Sequence, residues 1–348
     1  MLSWSPCLIP SRGGAPSLGH PVVDRYLEVV AARLRPNTLA AVASDLKAFF
    51  TVVGVDPLEV STADVYDFIR AQRSPRGDGV VVRLSDGSSG LALSTVKRRL
   101  SSVSGFYRYL IELGEVNSNP VHRGMAHRSS GGRSRRVTPL VRPARRLPQI
   151  LSPGEVDQLV AALRTRRDRA MVEAMVFAGL RRAEVLGLRL GDVRSGERRL
   201  FVADGKGGHQ RLVPCSNRFF TTVADYLHAE RPREAVFTDR VFVVLKGPNR
   251  GQPLSVKGLE QVMGDARRRA GLRHGTCHEL RHTCFTRLRE AGMALEAIQA
   301  QAGHRSIRST QIYLHLSNDW LADEYRRAAE AIDAQQAMGT LTRAGVTR

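Results

Sequence analysis

The sequence predicts a mainly α chain with a small β-hairpin or sheet, divided into a helical N-terminal domain and a mixed α/β C-terminal domain. Three observations carry this. Apolar residues recur at helical spacing through about residues 17–115. A stretch rich in arginine and proline breaks the pattern at 117–149. Beyond it, one strand–turn–strand signal stands among further helical runs. A length of 348 residues fits two domains. The expected divisions are a tail at 1–16, the helical domain at 17–116, a basic linker at 117–149, the α/β domain at 150–330 and a second tail at 331–348.

The first helix follows from Val22, Val23, Tyr26, Leu27, Val30 and Leu34. A second begins at Pro36-Asn37-Thr38 and carries Leu39, Val42, Leu46, Phe49 and Phe50. Ser61 to Arg70 opens with Ser-Thr-Ala-Asp, a helix-start pattern. Leu93 to Leu113 carries Val96, Leu100, Val103, Phe106, Tyr107 and Leu110, with Lys97, Arg98, Arg99 and Arg108 on the opposite face. Residues 117–149 hold eight arginines, four prolines and no acidic residue, so an extended linker that buries little is expected there.

After the linker, Ser152, Pro153 and Glu155 make an N-cap, a first-turn proline and a capping box. Helices are expected at about 167–178, 181–189, 217–230, 255–271, 277–291, 294–302, 306–315 and 318–336. Arg199–Ala203 and Gln210–Pro214 form the hairpin around Asp204-Gly-Lys-Gly-Gly-His209.

Charge narrows the function. The formal net charge is +20, and five of the 53 basic residues are lysine (47, 97, 206, 246 and 257), leaving 48 arginines. Such a surface repels itself unless a polyanion is present, and counterion release from a phosphate backbone is the usual use of it. A bias towards arginine in composition is the plainer explanation. No run of 18 apolar residues exists, so no membrane helix is expected. The N-terminus lacks a basic segment before an apolar one, which argues against secretion. Cys7, Cys215, Cys277 and Cys284 show no CxxC spacing, so a reducing, cytoplasmic setting without a disulfide framework or zinc ribbon is expected.

His278-Glu279-Leu280-Arg281-His282 matches HExxH, a pattern that can hold zinc with the glutamate as base. A metzincin continuation would need Gly at 285 and His at 288, where the chain has Phe285 and Leu288. The same helix can be read through His278 and Arg281, about 60° apart around its axis. Cys277, Leu280, Cys284 and Leu288 form its apolar stripe. Arg281, at the edge of that stripe, is expected to be partly desolvated and to want an anion such as phosphate.

Other boxes accompany it. Upstream lies Gly179-Leu-Arg-Arg-Ala-Glu184; downstream lies Gly303-His-Arg-Ser-Ile-Arg-Ser-Thr-Gln-Ile-Tyr313. With Lys206 in the hairpin turn, the order is Arg181, Lys206, His278, Arg281, His304, Tyr313. Over about residues 17–330 this resembles the tyrosine recombinase (phage integrase) family, of the simple Xer-like or mobile-element kind. The resemblance implies a two-domain clamp, with a core-binding domain followed by the catalytic domain. It implies Tyr313 as nucleophile, Arg181 and Arg281 as clamps on the non-bridging phosphate oxygens, and His278 as proton acceptor. It also implies His304 as a second phosphate ligand and Lys206 as the acid for the leaving 5′-oxygen. Glu184 matches a supporting acidic residue that orients Arg181 or His278, and His282 is a supporting neighbour. Ala302 departs from the leucine commoner before Gly-His.

The reaction so implied is cutting and rejoining of DNA through a 3′-phosphotyrosine, without cofactor or metal, by a homo-tetramer on paired recombination sites of double-stranded DNA. The expected role is integration, excision or transposition-like mobility; the alternative is Xer-like resolution of chromosome or plasmid dimers. A non-catalytic DNA-binding relative, a type IB topoisomerase that reseals the same strand and a zinc hydrolase are the competing readings. About 16 residues precede the first helix, too few for a separate arm-binding domain. Trp320, Leu321, Tyr325, Ala328 and Ile332 would make one apolar face, packed either on the chain's own domain or on a neighbouring protomer.

Overall fold

The computed structural model describes residues 4–10, 14–74, 90–122, 125–127, 136–138, 140–141, 148–205, 210–303 and 310–311. The chain divides into two compact units, Met1–Arg145 and Arg146–Arg348.

The first unit is built on α1 (Pro21–Ala31), α2 (Pro36–Val53), α3 (Thr62–Arg73) and α4 (Leu93–Glu112). Local chemistry sets their ends. Pro36 fixes the first turn of α2, and Gly54, at φ 66°, ends it. The Ser61 side chain accepts from the Asp64 N–H, and the Asp64 carboxylate accepts from the Ser61 N–H, closing a capping box on α3. One face of each helix enters a common core, where Phe49, Phe50, Phe68, Phe106 and Tyr107 are all buried. Phe49 and Phe68 meet edge to face at 5.0 Å.

Two expectations for this unit need correction. The tail expected at 1–16 is not free where it is described: Trp4 packs against the core, with ring centroids 5.3 Å from Phe50 and 4.9 Å from His20. The basic face of α4 meets a buried acid. Asp45, buried on α2, accepts from Arg98 and from the Ser102 hydroxyl, and Arg99 donates to Gln72. A buried carboxylate draws those charges inward because it has to be paired. The stretch after α4 is not an unpartnered linker. β1 (Met125–His127) pairs antiparallel with β2 (Arg136–Thr138), and Val141 is buried against the helical core. The aliphatic residues scattered between the arginines supply apolar area that the arginine and proline count conceals.

The second unit contains α5 (Pro153–Ala161), α6 (Arg166–Phe177), α7 (Arg182–Gly187), β3 (Val193–Arg194), β4 (Arg199–Val202) and β5 (Arg211–Pro214). It continues with α8 (Asn217–Ala229), α9 (Val256–Arg269), α10 (Cys277–Glu290) and α11 (Leu295–Ala302). Ser152 and Glu155 close the expected capping box on α5. Helix α6 runs through the core: Ala170, Met171, Val172, Ala174, Met175 and Val176 are all buried, and α8 and α10 pack on it.

The hairpin is present, as β4 and β5 of a three-stranded antiparallel sheet ordered β3-β4-β5. Leu200 lies opposite Val213, and Val202 opposite Arg211. Strand β3 has two residues, too short to show an alternation in sequence. Helix α7 stops at Gly187, two residues before the expected end. The helices expected at 306–315 and 318–336, and so the C-terminal apolar face, lie outside the described residues. Among the described residues no helix is long and apolar enough to cross a membrane.

Candidate active site

Three pieces of the second unit converge: the turn before α7, the first half of α10 and the last turn of α11. Arg181 stands immediately before α7 and Glu184 is its third residue. His278, Arg281 and His282 are on α10. Arg181, His278 and Arg281 border a cavity of about 690 Å³, whose lining also includes Arg182, Glu260 and Arg267. Lys206, His304 and Tyr313 lie outside the described residues.

Arg281 is deeper than its place on the helix suggests. It is 3% exposed, donates to the Gly179 carbonyl and to the Ala302 carbonyl at 2.7 Å, and lies 4.8 Å above the Phe285 ring. Its Nη1 is 3.9 Å from a Glu184 oxygen. The expectation of an arginine at the edge of the apolar stripe is therefore corrected. Carbonyls and a carboxylate from other elements let a guanidinium sit inside, because they offset the water it gives up.

Gly179 makes this possible. Its φ is 67°, and a Cβ there would lie 2.4 Å from the Phe285 Cζ. Gly179→Ala is expected to cost about 2–4 kcal/mol in a urea unfolding titration, from backbone strain and overpacking together. It should also slow cleavage, by moving the carbonyl that holds Arg281. A loss below about 0.5 kcal/mol would show that the turn relaxes without strain.

Glu184 decides between two sequence expectations. One oxygen accepts from Arg181 Nη1 at 2.8 Å and from Arg211 Nη1 at 3.0 Å. The other accepts from the Arg181 backbone N–H at 2.8 Å and from Arg211 Nη2 at 2.9 Å. It orients Arg181 rather than His278. Burial alone would raise its carboxyl pKa; hydrogen bonds from Arg211 and Arg181 outweigh that and hold it below the ordinary range. The site therefore keeps a fixed negative charge among three arginines.

His278 and His282 face each other one turn apart, with Nε2 to Nε2 at 2.9 Å. Burial, then the charges of Arg281 and Arg181, lower the pKa of His278. Burial, then His278 and Arg281, push His282 down to about 4. At neutral pH His278 is uncharged and has a lone pair with which to take a proton. Glu279 is not turned towards this pair. Its carboxylate accepts the N–H groups of Gly275 and Thr276, each at 2.7 Å, and caps α10. That occupies the base a zinc hydrolase of the HExxH type would need. Among the described residues no three His, Cys, Asp or Glu side chains lie close enough to hold a metal ion.

Arg211 escaped the sequence reading. One signal was available: Val213, two residues along the strand, is on the inward face, and period-two alternation puts residue 211 on that face too. A charged residue there implies a buried partner.

The phage integrase family matches residues 149–319. A tyrosine recombinase XerC from Pelobacter propionicus is 31% identical over 304 residues, which span 85% of this chain and 90% of the relative. Among solved structures, a lambda integrase (residues 75–356) dimer bound to a COC′ core site shares the fold, with a TM-score of 0.61 at 19% identity. It covers 84% of this chain and 94% of that one. A lambda integrase tetramer bound to a Holliday junction gives 0.60 at 19% identity, over 84% and 76%.

Proposed function

Since this chain belongs to the phage integrase family and is a tyrosine-type site-specific recombinase, we propose that the cavity beside Arg181, His278 and Arg281 is where it cuts and rejoins DNA strands. The observation that carries the assignment is the convergence of these three residues from two separate sequence boxes on one cavity, with Glu184 fixing the first arginine. Two guanidiniums held by buried partners are suited to the charge that grows on the phosphate oxygens in the transition state, because they need no reorganisation when it forms.

The chemistry then balances as follows. The Tyr313 oxygen attacks a DNA phosphorus while its proton passes to His278. The bond to the 5′-oxygen breaks, and Lys206 protonates that oxygen. The products are a 3′-phosphotyrosine and a free 5′-hydroxyl. His304 adds a donor to the phosphate. The 5′-hydroxyl of a partner strand attacks the phosphotyrosine, and Tyr313 regains its proton. One ester replaces another at each step, so the reaction needs neither ATP nor a redox partner.

The substrate is double-stranded DNA carrying specific recombination sites, and the assembly is a homo-tetramer on the paired sites. The tetrameric lambda integrase complex on a Holliday junction supports that assembly. The helical unit serves as the core-binding domain, and the protein acts in the cytoplasm. DNA integration, excision or transposition-like mobility is the general role. The match to a XerC recombinase over nine-tenths of its length fits the Xer-like alternative, resolution of chromosome or plasmid dimers.

Incubation with a nicked duplex of the cognate site in the presence of a chelator tests the assignment. A protein–DNA adduct that survives a denaturing gel is expected, with a 5′-hydroxyl on the released strand. Hydrolysed DNA without an adduct, or dependence on added metal, would overturn it.

A further inference from the structure

Arg211 joins three parts of the second unit that are distant in sequence. It opens β5, just after the hairpin turn that carries Lys206. Its Nη1 and Nη2 donate to the two Glu184 oxygens at 3.0 and 2.9 Å, a side-by-side pairing, and its Nε donates to the Gln301 carbonyl at 2.9 Å. Its side chain is 11% exposed and that of Glu184 is 2% exposed. Gln301 is in the last turn of α11, where backbone carbonyls have no partner within the helix. The next carbonyl, of Ala302, is the one that Arg281 holds. Gly303 follows at φ 62°, and a Cβ there would come within 3.2 Å of the Arg211 guanidinium. The chain then passes directly to His304.

We propose that Arg211 is a positioning residue for DNA cleavage, holding Glu184, and through it Arg181, at a fixed distance from the end of α11, the segment that precedes His304 in the chain. The inference rests on the assignment of Arg181 to the scissile phosphate. One planar fork fits both carboxylate oxygens and a helix-end carbonyl at once; an ammonium group has neither the reach nor the plane to do so. Arg181 has a second hold on Glu184 through its own backbone N–H, but that bond is local to the turn and says nothing about α11. Arg281 and Gln301 also join the turn before α7 to α11, through the Gly179 and Ala178 carbonyls, but Arg211 is the residue that ties the Glu184 carboxylate itself to the Gln301 carbonyl of α11. The groups that face Glu184 are Arg181, Arg211 and Arg281, all positive. Losing Arg211 removes the pairing that offsets the burial of this carboxylate, so it takes up a proton at higher pH than in the parent protein.

Arg211→Gln and Arg211→Lys are compared with the parent full-length protein in single-turnover cleavage of a nicked cognate duplex. Cleavage is followed from pH 5.5 to 9, together with duplex affinity and melting temperature. For Arg211→Gln we expect a cleavage rate about 30-fold lower, on the scale of other lost positioning contacts, with affinity within about 3-fold. The acid limb of its pH–rate profile should move upward by about one unit. Arg211→Lys should keep the affinity and fail to restore the rate. In Glu184→Gln background, Arg211→Gln should add little further loss, because both act on the same arginine. Parent-like cleavage by Arg211→Gln, or rescue by Arg211→Lys, would overturn the proposal. So would a rate loss that tracks melting temperature with an unmoved pH profile, which marks a purely structural role. A parent protein that forms no covalent adduct would instead overturn the assignment of the site itself.

Discussion

Tyr313→Phe is expected to abolish covalent attachment to DNA, lowering the cleavage rate by at least about 10³-fold, roughly 4 kcal/mol of transition-state stabilisation. Site binding should stay within a few-fold of the parent, because phenylalanine keeps the ring and removes only the attacking oxygen. A nicked duplex with a denaturing gel reads the adduct, and a gel-shift titration reads the binding. A phenol has a pKa near 10 in water, so it attacks only where a base is at hand and positive charge surrounds it. In the proposed mechanism the neutral His278 and the two arginines around the cavity provide that setting. An adduct that persists in Tyr313→Phe would move the role to another tyrosine. Tyr226 would be a poor substitute, since it is fully buried and its hydroxyl donates to the Val241 carbonyl at 3.0 Å. Tyr325 would be the next residue to test.

Arg181→Ala and Arg281→Ala are each expected to slow cleavage by at least about 100-fold, roughly 2.7 kcal/mol, with much smaller changes in affinity. Many other arginines are available for phosphate contacts, whereas the proposed mechanism places these two on the reacting phosphate. The two variants should differ in stability. Arg181 is about a quarter exposed, and its removal leaves Glu184 paired with Arg211. Removing Arg281 strips the Gly179 and Ala302 carbonyls of a buried donor and unsettles both the turn before α7 and the end of α11. Arg281→Ala should therefore also lower the melting temperature, and Arg181→Ala should barely move it. Because Arg281→Ala risks losing the fold, Arg281→Lys serves as its companion. A folded Lys variant that still cleaves slowly assigns the effect to the guanidinium. Equal losses of binding and cleavage in Arg181→Ala would reduce that residue to a DNA anchor.

Much of this molecule was legible before any coordinates, because its signals are local. Capping boxes at Ser61 and Ser152 depend on atoms three residues apart, so sequence spacing is enough to see them. The hairpin pairs across a short turn, and its apolar alternation shows in the residues themselves. The helices of both units follow from periodicities that a buried stripe imposes on its own segment. The candidate site is similar in part. The order of Arg181, His278 and Arg281 can be read along the chain, and those residues do meet at one cavity.

What the sequence alone determined is therefore which residues are present, in which order and on which helix or strand, together with the basic surface that suits a polyanion. Only the tertiary structure decided whom each charged group faces. Sequence left Glu184 open between Arg181 and His278, and the fold gave it Arg181 and an unforeseen Arg211. Sequence left Glu279 open as a zinc-site base, and the fold spent it on the start of its own helix. Arg281 looked like a half-exposed arginine until Gly179, 102 residues upstream, supplied a carbonyl to receive it. The arginines of α4 show in sequence only as a basic face, and the fold pairs two of them with Asp45 on another helix. The reason is one of range. Periodicity and capping are fixed within a turn or two of chain, whereas a buried charge must be matched by whatever the packing brings beside it, and that partner can come from anywhere in the sequence.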